Sequence, residues 1–338
     1  MAARSESDLH GDKPMKRARK FLPLIVFVLA LLIAATASSF AVASNLAGAS
    51  EQGRGQRGTP EFGPANGSLV IVGGAMRDPA IRQRFIDLAG GPDAPVVVIP
   101  TAGGGLEYDE WNSGLQAWKR AGVTDITVLH TKDRAVADSD AFVEPLKRAR
   151  GVWFNGGRQW HLADSYLDTK THEEFWKVLE RGGVIGGSSA GATIQGEYLA
   201  RGDTSGNTIM MGDHIEGLGF LKGAAIDQHV LRRNRQFDLV EIIEEHPELL
   251  GIGIDENTAI IVQGDSFTVM GQGYVLIHDA NSWIEGGPAG DDGPAGGGGS
   301  FYFLAPGDRF DMSTREATRP GRGSQQPIER VKKKGGGQ

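Results

Sequence analysis

No cysteine occurs among the 338 residues of this chain. That absence excludes disulfides, a thiolate nucleophile and any cysteine-ligated zinc site. It does not exclude an oxidising compartment, because a domain of this length buries enough core without crosslinks. Histidine is scarce too, with eight in the whole chain, so candidates for an imidazole base are few. Basic charge is not in excess: 35 Lys and Arg stand against 42 Asp and Glu, for a net charge of -7. A balance of that sign argues against nucleic acid as a partner. Phosphate-cradling loops are missing as well. Gly73-Gly74-Ala75-Met76-Arg77-Asp78 lacks the G-x-G-x-x-G spacing of a dinucleotide site, and no Walker-type loop is present.

The one long hydrophobic run lies near the start. Lys13, Lys16, Arg17, Arg19 and Lys20 precede an apolar stretch from Phe21 to Ala35, and small residues end in Ala41-Val42-Ala43. Charged, apolar and small-residue segments in that order predict a secretory signal over 1–43. Initiation at Met15 would give it an ordinary short basic region. The alternative is an uncleaved membrane anchor over residues 21–43, since that stretch is long enough to span a bilayer. Either way the folded part is expected to be exported, periplasmic or extracellular, with membrane contact only through this segment. Residues 44–66, rich in Gly, Ser, Gln and Arg, read as a flexible linker. The expected domain covers 67–312, including a Gly-rich surface loop at 286–300. Phe301–Leu304 is expected as its last strand, with a disordered polar tail over 313–338.

Between these ends the pattern alternates. Short apolar runs at Leu69–Val72, Val96–Ile99, Ile126–Leu129, Gly151–Phe154 and Val184–Ile185 have the length and β-branched content of buried strands. Helical spacing separates them, at 80–88, 115–121, 141–149, 159–167 and 171–181. Continuously apolar strands between amphipathic helices predict an α/β fold, a three-layer sandwich with a mostly parallel central sheet. Ligands of such sheets sit beyond the carboxyl ends of the strands. At that edge lie Gly73-Gly74, Thr101-Ala102-Gly103, Asn155-Gly156-Gly157-Arg158-Gln159 and Gly186-Gly187-Ser188-Ser189-Ala190-Gly191.

Ser189 stands between Gly187 and Gly191, where the Val184-Ile185 run turns into a helix expected to begin near Ala192. A sharp strand-to-helix turn with small neighbours is the setting of a nucleophile elbow. The same spacing also fits an ordinary tight βα turn. A serine nucleophile needs a base, and His229 is the best placed histidine, at the end of the apolar run closing in Asp227-Gln228-His229. His130 ends the third strand and stays open as a second choice. For the group that orients the imidazole, Ile252-Gly253-Ile254 ends in Asp255 and Glu256, with Asp203 as a rival. Arg232, Arg233 and Arg235 follow His229, and forked guanidinium groups there suit substrate carboxylates; a solvated helix start is the plainer alternative.

Together these segments, with Gly253-Ile254-Asp255-Glu256-Asn257-Thr258-Ala259 and Leu304-Ala305-Pro306-Gly307-Asp308, resemble the cyanophycinase and peptidase S51 family. That resemblance covers roughly 68–311. It implies serine hydrolases of the flavodoxin-like, class I glutamine amidotransferase-like fold. It further implies Ser189 as nucleophile, His229 as base and Glu256 as its orienting acid, with Asp203 kept as rival. Gly156, Gly157 and Gln159 would form the oxyanion and substrate loop, completed by the Ala190 N–H. Asp227, Gln228, Arg233 and Arg235 would contact substrate.

The implied activity is an exported exopeptidase that cuts cyanophycin (multi-L-arginyl-poly-L-aspartate) to β-Asp-Arg dipeptides through an acyl-enzyme. It needs no metal and no cofactor, and a homodimer is compatible with the resemblance. Two departures bear on specificity: Asp238 stands where the family has an arginine, and Arg158 where it has an acid. A dipeptidase acting on short Asp-containing peptides is the neighbouring alternative. Glutamine amide transfer is disfavoured by the serine nucleophile and the absence of cysteine. A non-catalytic surface binding protein on the same fold would fail to react with a fluorophosphonate.

Overall fold

Two apolar faces per strand decide the architecture. In the computed structural model, which describes residues 59–280, 301–319 and 323–325, the strands β1 (Ser68–Val72), β2 (Val96–Ile99) and β4 (Gly151–Phe154) are buried along their whole length. With β3 (Ile126–Val128) and β5 (Val184–Ser188) they form a parallel block in the order β1-β5-β4-β2-β3. Side chains alternate between the faces, as strand geometry requires. Val70, Val72, Val98 and Trp153 pack with Phe85 and Trp118 on one side, while Leu69, Ile71, Ile99, Phe154 and Ile185 enter the larger core on the other.

Helices cover both sides. On the first face lie α1 (Pro79–Ala89) and α2 (Leu115–Arg120). Asp78 caps α1 by accepting from the Ala80 N–H, Pro79 needs no donor there, and Gly90 closes the helix in the left-handed region. Along the other side run α3 (Arg134–Ala137), α4 (Asp140–Arg148), α5 (Trp160–Tyr166) and α6 (Lys170–Glu180). This is the three-layer α/β sandwich with parallel central strands that the alternating sequence implies.

The sheet is longer than the parallel block. Antiparallel strands β9 (Thr258–Gln263), β10 (Ser266–Gly271), β13 (Arg309–Asp311), β14 (Glu316–Arg319) and β15 (Gly323–Gln325) extend it beyond β1 to ten strands. A second sheet consists of β6 (Gly196–Tyr198), β7 (Leu221–Gln228), β8 (Leu250–Ile254), β11 (Val275–Asp279) and β12 (Phe301–Leu304). Its strands lie in the order β12-β11-β8-β7-β6, and it packs through Ile226, Ile252 and Ile254 against the main core. After Ser189 there is one helical turn, α7 (Ala190–Thr193), and α8 (Leu239–Glu245) covers the outer face of the second sheet.

Four boundaries differ from expectation. The helix after Ser189 begins at Ala190, two residues before the expected start near Ala192, and is one turn long because β6 follows from Gly196 to pair with β7. Phe301–Leu304 is not the last strand, since three more follow it. The tail expected to be disordered from 313 contains β14, whose Ala317 is buried against β13. The linker is shorter than 44–66: Phe62 is buried, its N–H donates to Asp265 Oδ1 at 2.9 Å, and its carbonyl accepts from the Lys222 N–H at 2.8 Å. The expected signal or anchor at 1–43, the rest of the linker and the loop at 286–300 lie outside the described residues. Among the described residues no helix is long and apolar enough to cross a membrane.

Candidate active site

Ser189 occupies a backbone conformation that a serine rarely takes, with φ 59° and ψ −116°. Its N–H donates to Val72 O at 3.0 Å, so the turn is pinned to the end of β1. The tightness needs glycine on either side. A Cβ on Gly187 would lie 2.1 Å from Gly191 O, and one on Gly191 would lie 2.1 Å from Phe154 O. Backbone strain at such a turn is a feature of functional sites and is held in place by the packed strands around it.

His229 directly follows the end of β7 and also adopts positive φ, 57°. Its N–H donates to Gly73 O at 2.9 Å, which binds the second sheet's end to the loop after β1. The imidazole Nε2 lies 2.9 Å from Ser189 Oγ, and Nδ1 lies 2.8 Å from Glu256 Oε1. Glu256 reaches that position from the β8–β9 turn, which docks on the same loop. Asn257 donates its N–H to Gly74 O at 2.8 Å, and its Oδ1 accepts from Arg77 N–H at 2.7 Å and Asp78 N–H at 2.6 Å. A carboxylate is acceptor-only, so the network places the proton on Nδ1 and leaves Nε2 free to accept from the serine hydroxyl.

Charge supports that assignment. Burial pushes the His229 pKa below its ordinary value, against the hydrogen bond and charge of Glu256, and the positive charges of Arg233 and Arg235 act in the same direction as burial. At Glu256 burial favours the neutral acid, but the hydrogen bond and charge of His229, with Arg77 and Arg232, outweigh it and leave the pKa below the usual carboxylate range. Near neutral pH the pair is therefore a neutral imidazole on an ionised carboxylate. Glu256 Oε2 lies 3.6 Å from Arg77, at the edge of an open cleft of about 620 Å³ lined by Arg77, Arg232, Asp255 and Gln272 among others.

Gly156 lies against the serine: a Cβ there would sit 3.2 Å from Ser189 Cβ and 3.7 Å from Ser189 Oγ. Among the described residues none accepts from the backbone N–H of Gly156, Gly157 or Ala190, and of the three Gly156 is the one shown against the hydroxyl. Arg233 is exposed and Arg235 half-buried, and both act electrostatically on His229. Gln228 places its Oε1 3.5 Å from Ser189 Oγ.

Two expectations need correction, at Asp227 and Gln159, and three rival candidates lie elsewhere. Asp227 is buried and held bidentately by Arg201 at 2.8 and 2.9 Å, so it faces away from substrate. Gln159 is also buried. Its Nε2 donates to the carbonyls of Ala200 and Arg201 at 2.7 and 2.9 Å, which braces the loop behind Gly156-Gly157 without reaching substrate. Asp203 accepts from the N–H groups of Ser205 and Gly206 and makes no contact with His229. Its carbonyl also accepts from Arg158. His130 bonds Thr101 Oγ1 at 2.8 Å, away from Ser189. Asp255 accepts from Leu231 and Arg232 N–H at 3.1 and 2.9 Å and fixes the segment after His229. Arg201 itself carried no signal in the sequence, being one charge among the polar and glycine residues of a loop.

A third glycine of the site, beside the imidazole, has no substitute either. A Cβ on Gly74 would lie 2.2 Å from His229 Cε1, and its φ of 127° suits glycine alone. Gly74→Ala is expected to displace the imidazole and lower kcat by on the order of 10²-fold. Steady-state kinetics beside a thermal melt checks this; unchanged kcat would contradict it.

A parallel-stranded α/β sandwich with hydroxyl, imidazole and carboxylate aligned over the strand ends is the arrangement of a serine hydrolase. Comparison with known proteins narrows the class. The profile of peptidase family S51 matches residues 69–270. The cyanophycinase of Geminocystis herdmanii is 31% identical over 264 residues, covering 74% of this chain and 95% of that protein. That of Thermosynechococcus vestitus is 33% identical over 226 residues, covering 63% of this chain and 68% of its own. A crystal structure of a peptidase from an acI-B1 actinobacterium shares the fold, with TM-score 0.52 and 24% identity over 73% of this chain and 97% of that one. The chain belongs to peptidase family S51 and is a serine peptidase.

Proposed function

We propose that this protein is an exported exopeptidase that hydrolyses cyanophycin to β-Asp-Arg dipeptides through an acyl-enzyme on Ser189. Ser189 Oγ attacks the peptide carbonyl while His229 Nε2 takes its proton. Glu256 stabilises the imidazolium through Nδ1–H. The unpaired N–H groups of Gly156, Gly157 and Ala190 receive the developing oxyanion. The imidazolium then protonates the leaving amine, and His229 activates water to release the acyl group. Arg233 and Arg235 bind substrate carboxylates. The observation that carries this reading is the 2.9 Å contact of His229 Nε2 with Ser189 Oγ, in a relative of the cyanophycinases. Export rests on the basic, apolar and small-residue order of residues 13–43. Cell fractionation with sequencing of the N-terminus tests it: a full-length chain recovered wholly in the cytoplasmic fraction removes it.

Incubation with insoluble cyanophycin tests the substrate. Release of β-Asp-Arg, lost in Ser189→Ala, is expected. A second reading, a dipeptidase for short Asp-containing peptides, is favoured by Asp238 and Arg158, which depart from the family pattern, and hydrolysis of free dipeptides alone would select it.

The pH profile has a defined sign. The base works only when neutral, and burial lowers its pKa, so the acid limb of kcat/KM is expected below the ordinary imidazole value of about 6.5. Activity should therefore be on its plateau at pH 7, and a limb above that value would contradict the assignment of His229.

A further inference from the structure

Arg201 is the largest fully enclosed side chain of the described residues, and it belongs to a loop rather than to a helix or strand. An enclosed guanidinium is tolerated only when carboxylates and carbonyls meet it. Asp227 holds Nε at 2.8 Å and Nη2 at 2.9 Å, Asp238 meets Nη2 as well, and Nη1 donates to Asn207 O at 3.0 Å.

Both acids also act on a second arginine. Arg235 is half-buried, and its side chain makes one long bond, 3.4 Å to Gln228 O. Burial and then the charge of Arg201 hold its pKa below the usual guanidinium value, while Asp227 and Asp238 pull the other way. Arg235 is thus attracted to the two carboxylates and repelled by the guanidinium that already occupies them. Asp238 lies three residues beyond Arg235, with its N–H on Arg235 O at 3.1 Å, so the acid is within the same turn.

We propose that Arg201 is a positioning residue that sets specificity: by occupying Asp227 and Asp238 it keeps Arg235 free to bind a carboxylate of the substrate. Without Arg201, the Arg235 fork would turn onto the unpaired acids and away from the substrate. This inference rests on the proposed role of Arg235 toward substrate.

The test is steady-state kinetics of the full chain on a short soluble cyanophycin oligomer. Arg235→Met is expected to raise KM roughly 10- to 100-fold, the worth of a hydrogen bond to a charged group, with kcat within about threefold. Arg201→Met should raise KM by a similar factor, and combining the two should add little. The triple variant Arg201→Met, Asp227→Asn, Asp238→Asn should bring KM back to within about threefold of the wild type, because no carboxylate remains to divert Arg235. A triple variant as impaired as Arg201→Met, the result of a purely structural role, would overturn the proposal. Unchanged KM in Arg201→Met beside a raised KM in Arg235→Met would overturn the inference alone. Unchanged KM in Arg235→Met would remove the carboxylate-binding reading and this inference with it. If Arg201→Met does not fold, Arg201→Lys replaces it: an ammonium lacks the fork, so an intermediate KM is expected and a wild-type KM overturns the proposal.

Discussion

Ser189→Ala is expected to lower kcat by on the order of 10⁴-fold or more, with little change in KM or in the thermal melt. The expectation follows from geometry. The hydroxyl is the only atom lost, and it is the one 2.9 Å from His229 Nε2. What holds the turn is the backbone bond from Ser189 N–H to Val72 O, with the close packing of Gly187 on Gly191, and neither involves the hydroxyl. The oxyanion donors remain, so residual hydrolysis above the uncatalysed rate should persist. A variant retaining more than about a tenth of wild-type kcat would show that another group performs the attack.

Glu256→Gln is expected to cost roughly 10³- to 10⁴-fold in kcat, because the neutral amide neither stabilises the imidazolium nor fixes its tautomer. It carries a second signature. The Glu256 hydrogen bond and charge raise the His229 pKa against burial. Removing them should move the acid limb of kcat/KM to lower pH while the plateau falls. An Asp203→Asn control should leave the limb in place, since Asp203 bonds only the turn at Ser205 and Gly206 and its carbonyl meets Arg158. A limb that moves upward in Glu256→Gln would contradict the assignment.

The parallel block was legible because its strands are short, apolar on both faces and separated by helical spacing, as in Val96–Ile99 and Gly151–Phe154. The strands that follow are harder to place. β9 and β10 join β1 in the main sheet, whereas β8 and β11 on either side of that pair belong to the second sheet. Such allocation depends on partners distant in sequence. β14 is short, with one buried residue, and reads as polar tail. At the site, Ser189, His229 and Glu256 each close an apolar run at one edge, which local pattern reveals. Asp227 closes the same run as His229, yet its role depends on Arg201, 26 residues earlier. Strand alternation places it on the opposite face from Gln228, and nothing in the sequence says that a buried guanidinium waits there. The role of Gln159 is hidden for the same reason: its amide serves the carbonyls of Ala200 and Arg201, 41 and 42 positions on.

Covalent trapping addresses the core of the mechanism most directly. After exposure to a fluorophosphonate at pH 7, peptide mapping by mass spectrometry should place a single adduct on the peptide bearing Ser189. Labelling should vanish in Ser189→Ala and slow strongly in His229→Ala. An adduct on another residue, or none from a preparation that still hydrolyses peptide, would contradict the account.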